Sequence, residues 1–134
     1  MSKKPSQPVL EVSCLTAAYG RDVALENISF NAGKGEILGV VGPNGAGKST
    51  LIKVLSGVLG IKSGLVRING QEINSYKPAQ RARTLSVVPQ ARQFGGTFSV
   101  RQAVMLGRTA YLGFLGNPGE EDLRQVDWAM DQTG

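Results

Sequence analysis

Residues 42–50 read GPNGAGKST and lie between an apolar run, ILGVV at 37–41, and a segment with helically spaced apolar residues at 48–58. The nine positions hold three glycines, one lysine and two hydroxyl side chains. A short continuous apolar run is typical of a strand buried on both faces, as in a parallel sheet. The pattern G-x-x-x-x-G-K-[ST] between a strand and a helix predicts a loop that wraps its backbone around phosphate.

Each part of this loop suits a nucleoside triphosphate. Small residues let several backbone N–H groups converge on an anion, and the helix N-terminus adds a partial positive charge. Lys48 is expected to reach the β- and γ-phosphates, Ser49 to offer a hard oxygen to Mg²⁺, and Thr50 to reach the α-phosphate. A plain glycine-rich turn is the alternative, and the loop alone does not choose between ATP and GTP. The predicted nucleotide-binding residues are Gly42, Pro43, Asn44, Gly45, Ala46, Gly47, Lys48, Ser49 and Thr50.

Composition narrows the class of protein. The 134 residues suffice for one modest domain, and the formal net charge of +5 comes from basic residues scattered along the whole chain, which predicts a solvated surface and no nucleic-acid partner. A single cysteine, Cys14, excludes an internal disulfide and is interpreted as a small core residue in a reducing compartment. No apolar segment approaches the length of a membrane span or a secretory signal, which predicts a cytoplasmic protein.

The pattern of apolar residues predicts an α/β fold. Strands are expected at 9–20, 23–36, 37–41, 63–70 and 85–90, and helices at 48–58, 77–84, 99–108 and 120–134. Asn69-Gly70 is typical of a hairpin turn, and Ser99 with Gln102 has the spacing of a capping box. The predicted organisation is a disordered lead at 1–8, a nucleotide-binding core at 9–90, and the start of a helical subdomain at 91–134.

Several motifs together resemble the ABC-type ATPases. The form GPNGAGKSTL is similar to their Walker A motif, TAAYG carries an aromatic residue at the family's place, and SGLVRINGQEI and LSVVPQ look like the family's hairpin and Q-loop. The resemblance implies an α/β P-loop NTPase core with an N-terminal β-subdomain. It implies that Tyr19 stacks on adenine, with Val23 flanking the same ring. It also implies that Gln90 contacts Mg²⁺ and the attacking water and connects the site to a transmembrane partner.

Purely structural interpretations of the same residues remain open. Tyr19 could be a strand-end aromatic residue that packs on the core, and Gln90 an ordinary polar residue after a strand. A P-loop kinase or GTPase is the alternative family, although the hairpin and Q-loop motifs fit neither.

The segment FGGTFSVRQAVMLGRTAYLG at 94–113 points to a subfamily. It resembles the importer ATPases for iron–siderophore, haem and cobalamin uptake, which carry F-[ST]-V-x-x-x-V-x-x-G-R-x-P-Y here. Ala110 stands where that pattern has proline. The resemblance implies transmembrane permease subunits and a second ATPase subunit as partners, and a position on the inner face of the cell membrane. The matching residues are Phe98, Ser99, Val100, Val104, Gly107, Arg108 and Tyr111.

Other family motifs do not occur in these 134 residues. The sequence has no LSGGQ-like signature, no apolar run ending in Asp-Glu and no histidine, and the resemblance, over residues 8–134, covers the first half of a family domain, ending within the helical subdomain. Phosphoryl transfer to water needs a group that positions the water. We therefore expect the chain by itself to bind ATP without hydrolysing it. The alternative to an importer subunit is a truncated, non-catalytic nucleotide-binding remnant, with an incomplete sheet and an exposed strand edge.

Overall fold

The computed structural model describes residues 8–88, 98–112 and 116–134. The chain divides into two compact units, Met1–Lys77 and Pro78–Gly134. Among these described residues, the first unit contains a sheet and one α-helix, and the second contains three α-helices. Residues 1–7 of the predicted lead lie outside the described residues. So does residue 90, where the predicted nucleotide-binding core ends.

A four-stranded antiparallel sheet forms the first unit. The strands have the spatial order β2-β1-β3-β4, and the predicted strands at 9–20, 23–36 and 63–70 are confirmed. Asn69 and Gly70 have φ of 51° and 79°, the left-handed values that a tight hairpin turn requires. The strand bounds are Leu10–Tyr19 for β1, Asp22–Ala32 for β2, Ser63–Ile68 for β3 and Gln71–Glu72 for β4.

A bulge in β1 decides which side chains enter the core. The register of β1 against β2 shifts between Val12 and Leu15, and both of these residues are buried. Cys14 lies in the bulge with φ of 48°, and its side chain is exposed. The prediction that Cys14 is a core residue is therefore wrong, because the extra residue shifts the inward-facing positions from 12 and 14 to 12 and 15.

Helix α1, Lys48–Leu55, completes the core of this unit. Its inward face is formed by Thr50, Leu51 and Val54, as the helical spacing predicts. It packs beside β2, where Leu25 is buried. The apolar residues buried in this unit are Val12, Leu15, Ala17, Leu25, Leu51, Val54, Val66, Ile68 and Ile73.

The predicted strand at 37–41 is not part of a sheet. Ile37 and Val41 are 98% and 94% exposed, and the segment has no regular secondary structure. A strand needs a neighbour to receive its ladder hydrogen bonds, and within the described residues every strand pairing involves β1 or β3 and none reaches this run. An apolar cleft of about 350 Å³ lies among Leu38, β2 and α1. The prediction of a strand buried on both faces is therefore wrong here, because no neighbouring strand among the described residues pairs with this run or covers it.

The predicted strand at 85–90 is likewise not observed in its described part. Residues 85–88 have no regular secondary structure, and Val88 is almost fully exposed. Residues 89 and 90 lie outside the described residues. As with 37–41, an apolar run without an adjacent strand does not form a ladder.

Helices predominate among the described residues of the second unit, where the helices predicted at 77–84, 99–108 and 120–134 are observed. Its α-helices are α2 at Pro78–Thr84, α3 at Val100–Met105 and α4 at Glu120–Thr133, with one 3₁₀ turn at Leu106–Arg108. Ser99 and Gln102 form the predicted capping box at the start of α3: the Ser99 hydroxyl accepts from the Gln102 N–H, and Gln102 Oε1 accepts from the Ser99 N–H. None of the helices in the described ranges has the length and apolarity that crossing a membrane requires.

Asp122 fixes the start of α4 and makes this unit sensitive to acid. Its carboxylate accepts from the Gly119 backbone N–H at 3.0 Å and from Arg108 Nε at 2.9 Å. The Gly119 N–H, and after it Arg108, lower the pKa of Asp122 below its ordinary value. A lowered folded-state pKa adds stability above the unfolded pKa of about 3.9, and that stability is lost as pH falls through the folded-state pKa.

We therefore expect the melting temperature of the wild-type chain to fall as pH is lowered below about 4, and Asp122→Asn to remove part of this fall. Asp131→Asn, an exposed position in the last turn of α4, is the matched control and should keep the wild-type profile. Thermal unfolding followed by circular dichroism across that pH range measures both. Identical profiles for the two variants would exclude Asp122 as the linked group.

Candidate nucleotide-binding site

The glycine-rich loop at 42–50 runs from the extended segment 37–41 directly into α1. Gly45 and Gly47 have φ of 85° and 83°, and Gly47 is the residue that precedes the helix. The loop closes with a hydrogen bond from the Ala46 N–H to the Pro43 carbonyl at 3.3 Å. Two left-handed glycines close together turn successive peptide N–H groups in similar directions, which is the backbone shape of an anion-binding nest.

Gly47 is also held by the sheet behind it. A Cβ at this position would lie 2.6 Å from the Ala24 carbonyl oxygen and 2.8 Å from Leu25 Cδ2. Both neighbours belong to β2, so the loop rests on the central sheet at this glycine. The small residue is required here by contact with β2 as well as by its positive φ.

Lys48 folds back over the loop. Its Nζ donates to the Gly42 carbonyl at 2.7 Å and to the Pro43 carbonyl at 2.6 Å. These two hydrogen bonds place a full positive charge at the concave side of the loop, beside the N-terminus of α1. The predicted phosphate-binding lysine and the predicted loop are therefore brought together.

The two hydroxyl residues that follow have different surroundings. Ser49 is exposed in the first turn of α1, whereas Thr50 is 8% exposed. The first turn of α1 contains no acidic residue and no side-chain cap, so its N–H groups have no competing carboxylate. This end of the helix is therefore suited to an anion, and Ser49 presents the hard oxygen ligand that a phosphate-bound divalent cation takes.

Tyr19 lies at the end of β1, beside the same helix. Its hydroxyl accepts a hydrogen bond from Lys53 Nζ at 3.2 Å, and the residue is 44% exposed. A hydrogen bond with Thr50, and after it the one with Lys53, lower the pKa of the Tyr19 phenol below its ordinary value. Tyr19, the predicted adenine-stacking residue, therefore lies beside Thr50, the last residue of the loop. Val23, one register position along from Tyr19 on β2, is half exposed.

Gln90 and Lys53 are the two residues for which prediction and structure do not correspond. Gln90, the predicted Q-loop glutamine, lies outside the described residues. Lys53 was not predicted, although the sequence carried a signal: it lies three residues after Thr50 on α1 and so shares a helix face with it. Within the described residues, no cluster of three or more His, Cys, Asp or Glu side chains suited to a metal is present.

Comparison with known proteins matches this arrangement to one family. The model of the ABC transporter family matches residues 25–134. The chain is 31% identical to the iron(3+)-hydroxamate import ATP-binding protein of Bacillus subtilis (strain 168), covering 93% of the chain and 46% of that protein. It is 43% identical to the hemin import ATP-binding protein of Pseudomonas entomophila (strain L48), covering 75% of the chain and 39% of that protein.

Solved structures agree with these matches. A metal-chelate type ABC transporter in an inward-facing conformation superposes with a TM-score of 0.74 at 27% identity, covering 94% of this chain and 45% of that one. An ATP-binding subunit of an ABC transporter superposes with a TM-score of 0.68 at 30% identity, covering 77% of this chain and 42% of that one. The chain thus spans less than half the length of these relatives.

Proposed function

Because this chain belongs to the ABC transporter family, we propose that it binds ATP with Mg²⁺ as part of an importer's ATP-binding subunit. The observation that carries the proposal is the position of Lys48, whose ammonium lies 2.6–2.7 Å from two carbonyls of the left-handed glycine loop. A positive charge, a backbone nest and an uncapped helix start converge there. Together they complement a polyphosphate.

The roles of the individual residues follow from their positions. Lys48 exchanges its loop carbonyls for the β- and γ-phosphate oxygens and neutralises charge that develops during phosphoryl transfer. Ser49, with Gln90, would hold Mg²⁺, and the exposed Ser49 hydroxyl at the helix start fits that ion. When bound, Mg²⁺ would supply positive charge that offsets the charge of the phosphates. Gln90 would also orient the attacking water.

The adenine base of ATP is proposed to stack on the Tyr19 ring. The half-exposed residue is held beside α1, the helix that follows the loop, by the hydrogen bond from Lys53. Stacking on an aromatic face holds a base without reading its hydrogen-bonding edge. Thr50 would reach the α-phosphate, and Val23 would flank the base.

The proposed partners are transmembrane permease subunits and a second ATPase subunit of the same kind. The chain would then lie in the cytoplasm, on the inner face of the cell membrane. The names of the hydroxamate and hemin import relatives support uptake of an iron–siderophore or haem as the transported substrate, with cobalamin kept from the resemblance at 94–113. Phe98 and Val100, at the start of α3, are exposed apolar residues that a permease helix could cover.

A binding experiment tests the nucleotide. A fluorescent ATP analogue is titrated into the 134-residue protein with Mg²⁺ and is then competed with unlabelled ATP, GTP and inorganic triphosphate. We expect ATP to displace the analogue and EDTA to weaken binding. Stacking on Tyr19 predicts that triphosphate competes less well than ATP. If no competitor displaces the analogue, the proposal is wrong.

Hydrolysis by the same polypeptide is expected to be absent. The 134 residues contain no Asp-Glu pair after an apolar run and no histidine, so the carboxylate that would polarise the attacking water and the histidine near the γ-phosphate are both missing from them. Phosphate release in the presence of Mg-ATP should equal that of Lys48→Ala prepared in parallel. Turnover above that variant would show that the chain supplies its own water-positioning group, and would also exclude the non-catalytic remnant as the better description.

A further inference from the structure

The aromatic ring of Tyr19 is held by α1 rather than by its own strand. Lys53 Nζ donates to the Tyr19 hydroxyl at 3.2 Å and lies 5.3 Å from the centre of the ring. The Thr50 side chain, one turn earlier on α1, lies close enough to the hydroxyl to lower the pKa of Tyr19. The two contacts hold the hydroxyl end of the ring and leave 44% of the residue exposed.

Lys53 has no competing acidic partner in the part of the chain that the structure describes, where none of the ion pairs includes it. Its described side-chain contact is the Tyr19 phenol. An exposed contact of this kind contributes little to folding. Its larger consequence is geometric, because it ties the end of β1 to the helix that begins with Lys48.

We propose that Lys53 is a positioning residue for ATP: it fixes the Tyr19 ring relative to the phosphate-binding loop, so that base and phosphates are bound at a preset spacing. This inference rests on the proposed function, in which Tyr19 carries the adenine. A ring that is already oriented loses less rotamer freedom when the base stacks on it, and preorganisation of this kind raises affinity. Lys53 itself touches neither the base nor the phosphates in this role.

The direct test is a double-mutant cycle on Mg-ATP binding. Lys53→Met keeps the aliphatic stem and removes the charge, and Tyr19→Phe keeps the ring and removes the hydroxyl. We expect each to weaken binding by about 2- to 10-fold, the range of one modest hydrogen bond, and the double variant to be no weaker than either alone. Lys34→Met, at the opposite end of the sheet, is the matched control and should bind as the wild type does. Losses that multiply in the double variant would overturn the proposal.

A second ligand separates positioning from simple charge. Inorganic triphosphate with Mg²⁺ has no base, so its affinity should be the same for the wild type and Lys53→Met. An equal loss for triphosphate and ATP would show that Lys53 acts on the phosphates as a nearby cation, which contradicts the proposal. If Lys48→Ala also leaves ATP binding unchanged, the proposed nucleotide site itself has failed, and the two failures are thereby distinguished.

Ultraviolet titration of tyrosine tests whether the contact between Lys53 and Tyr19 is kept in solution. Subtracting the Tyr19→Phe titration isolates the Tyr19 phenol from Tyr76 and Tyr111. Since the hydrogen bond from Lys53 lowers the pKa of Tyr19, Lys53→Met should raise it. An unchanged titration would show that the contact is not kept in solution and would overturn the inference.

Discussion

Replacement of Lys48 by alanine is expected to weaken Mg-ATP binding by about 10- to 100-fold. A hydrogen bond to a charged group contributes about 1.5–3 kcal/mol, which corresponds to this range. The Lys48 ammonium is positioned for such bonds, because its present acceptors are two carbonyls of the loop at 2.7 and 2.6 Å. Fluorescence titration with the ATP analogue measures the change.

The control for this prediction is Lys34→Ala, an exposed lysine in the turn that follows β2. It removes the same charge from the molecule and should leave binding within about twofold, because exposed charges act weakly at a distance. Higher salt should therefore reduce wild-type affinity without abolishing the difference between the two variants. Equal affinities for the wild type and Lys48→Ala would contradict our assignment of the loop.

Replacement of Gly64 by alanine is expected to cause the largest loss of stability of any single change considered. Gly64 has φ of +89°, and a Cβ there would lie 2.3 Å from the Cys14 carbonyl oxygen and 2.5 Å from the Cys14 carbonyl carbon. These neighbours are backbone atoms of the paired strand and cannot rotate away. We expect the free energy of unfolding to fall by about 2–5 kcal/mol, the sum of left-handed strain and overpacking. Urea denaturation measures it.

Gly35→Ala is the matched control for Gly64→Ala. Gly35 has φ of +76°, and a Cβ there would meet no heavy atom within 4 Å. The control should therefore show only the strain of a left-handed alanine, about 1–2 kcal/mol. Equal losses in the two variants would show that the close approach of β3 to the bulge in β1 is relieved at no cost.

Much of the first unit could be predicted because its signals are local. The alternation in 63–68, the Asn69-Gly70 turn and the helical spacing after Lys48 are each decided by neighbours in sequence. The phosphate-binding loop belongs to the same class, since its glycines and lysine lie within a few residues of one another.

Other features of the structure depend on contacts between residues distant in sequence, which sequence patterns do not reveal. Segment 37–41 has the composition of a buried strand, but a strand exists only where another strand accepts its hydrogen bonds. The exposure of Cys14 depends on a bulge, in which one inserted residue reverses the alternation that follows. The contact of Lys53 with Tyr19 joins residues 34 positions apart, which neither segment predicts alone.

The hydrogen bonds of Lys48 within its own loop also determine how the loop exchanges ligands. The free loop is already occupied by an internal cation whose acceptors are two carbonyl oxygens. Binding is therefore a displacement, in which an incoming anion must compete with these dipoles for the ammonium before it gains anything from the charge. A singly charged anion gains little from that competition, whereas the adjacent phosphates of a nucleotide replace both carbonyls at once. We therefore expect the loop to bind ligands that carry adjacent anionic groups in preference to singly charged anions.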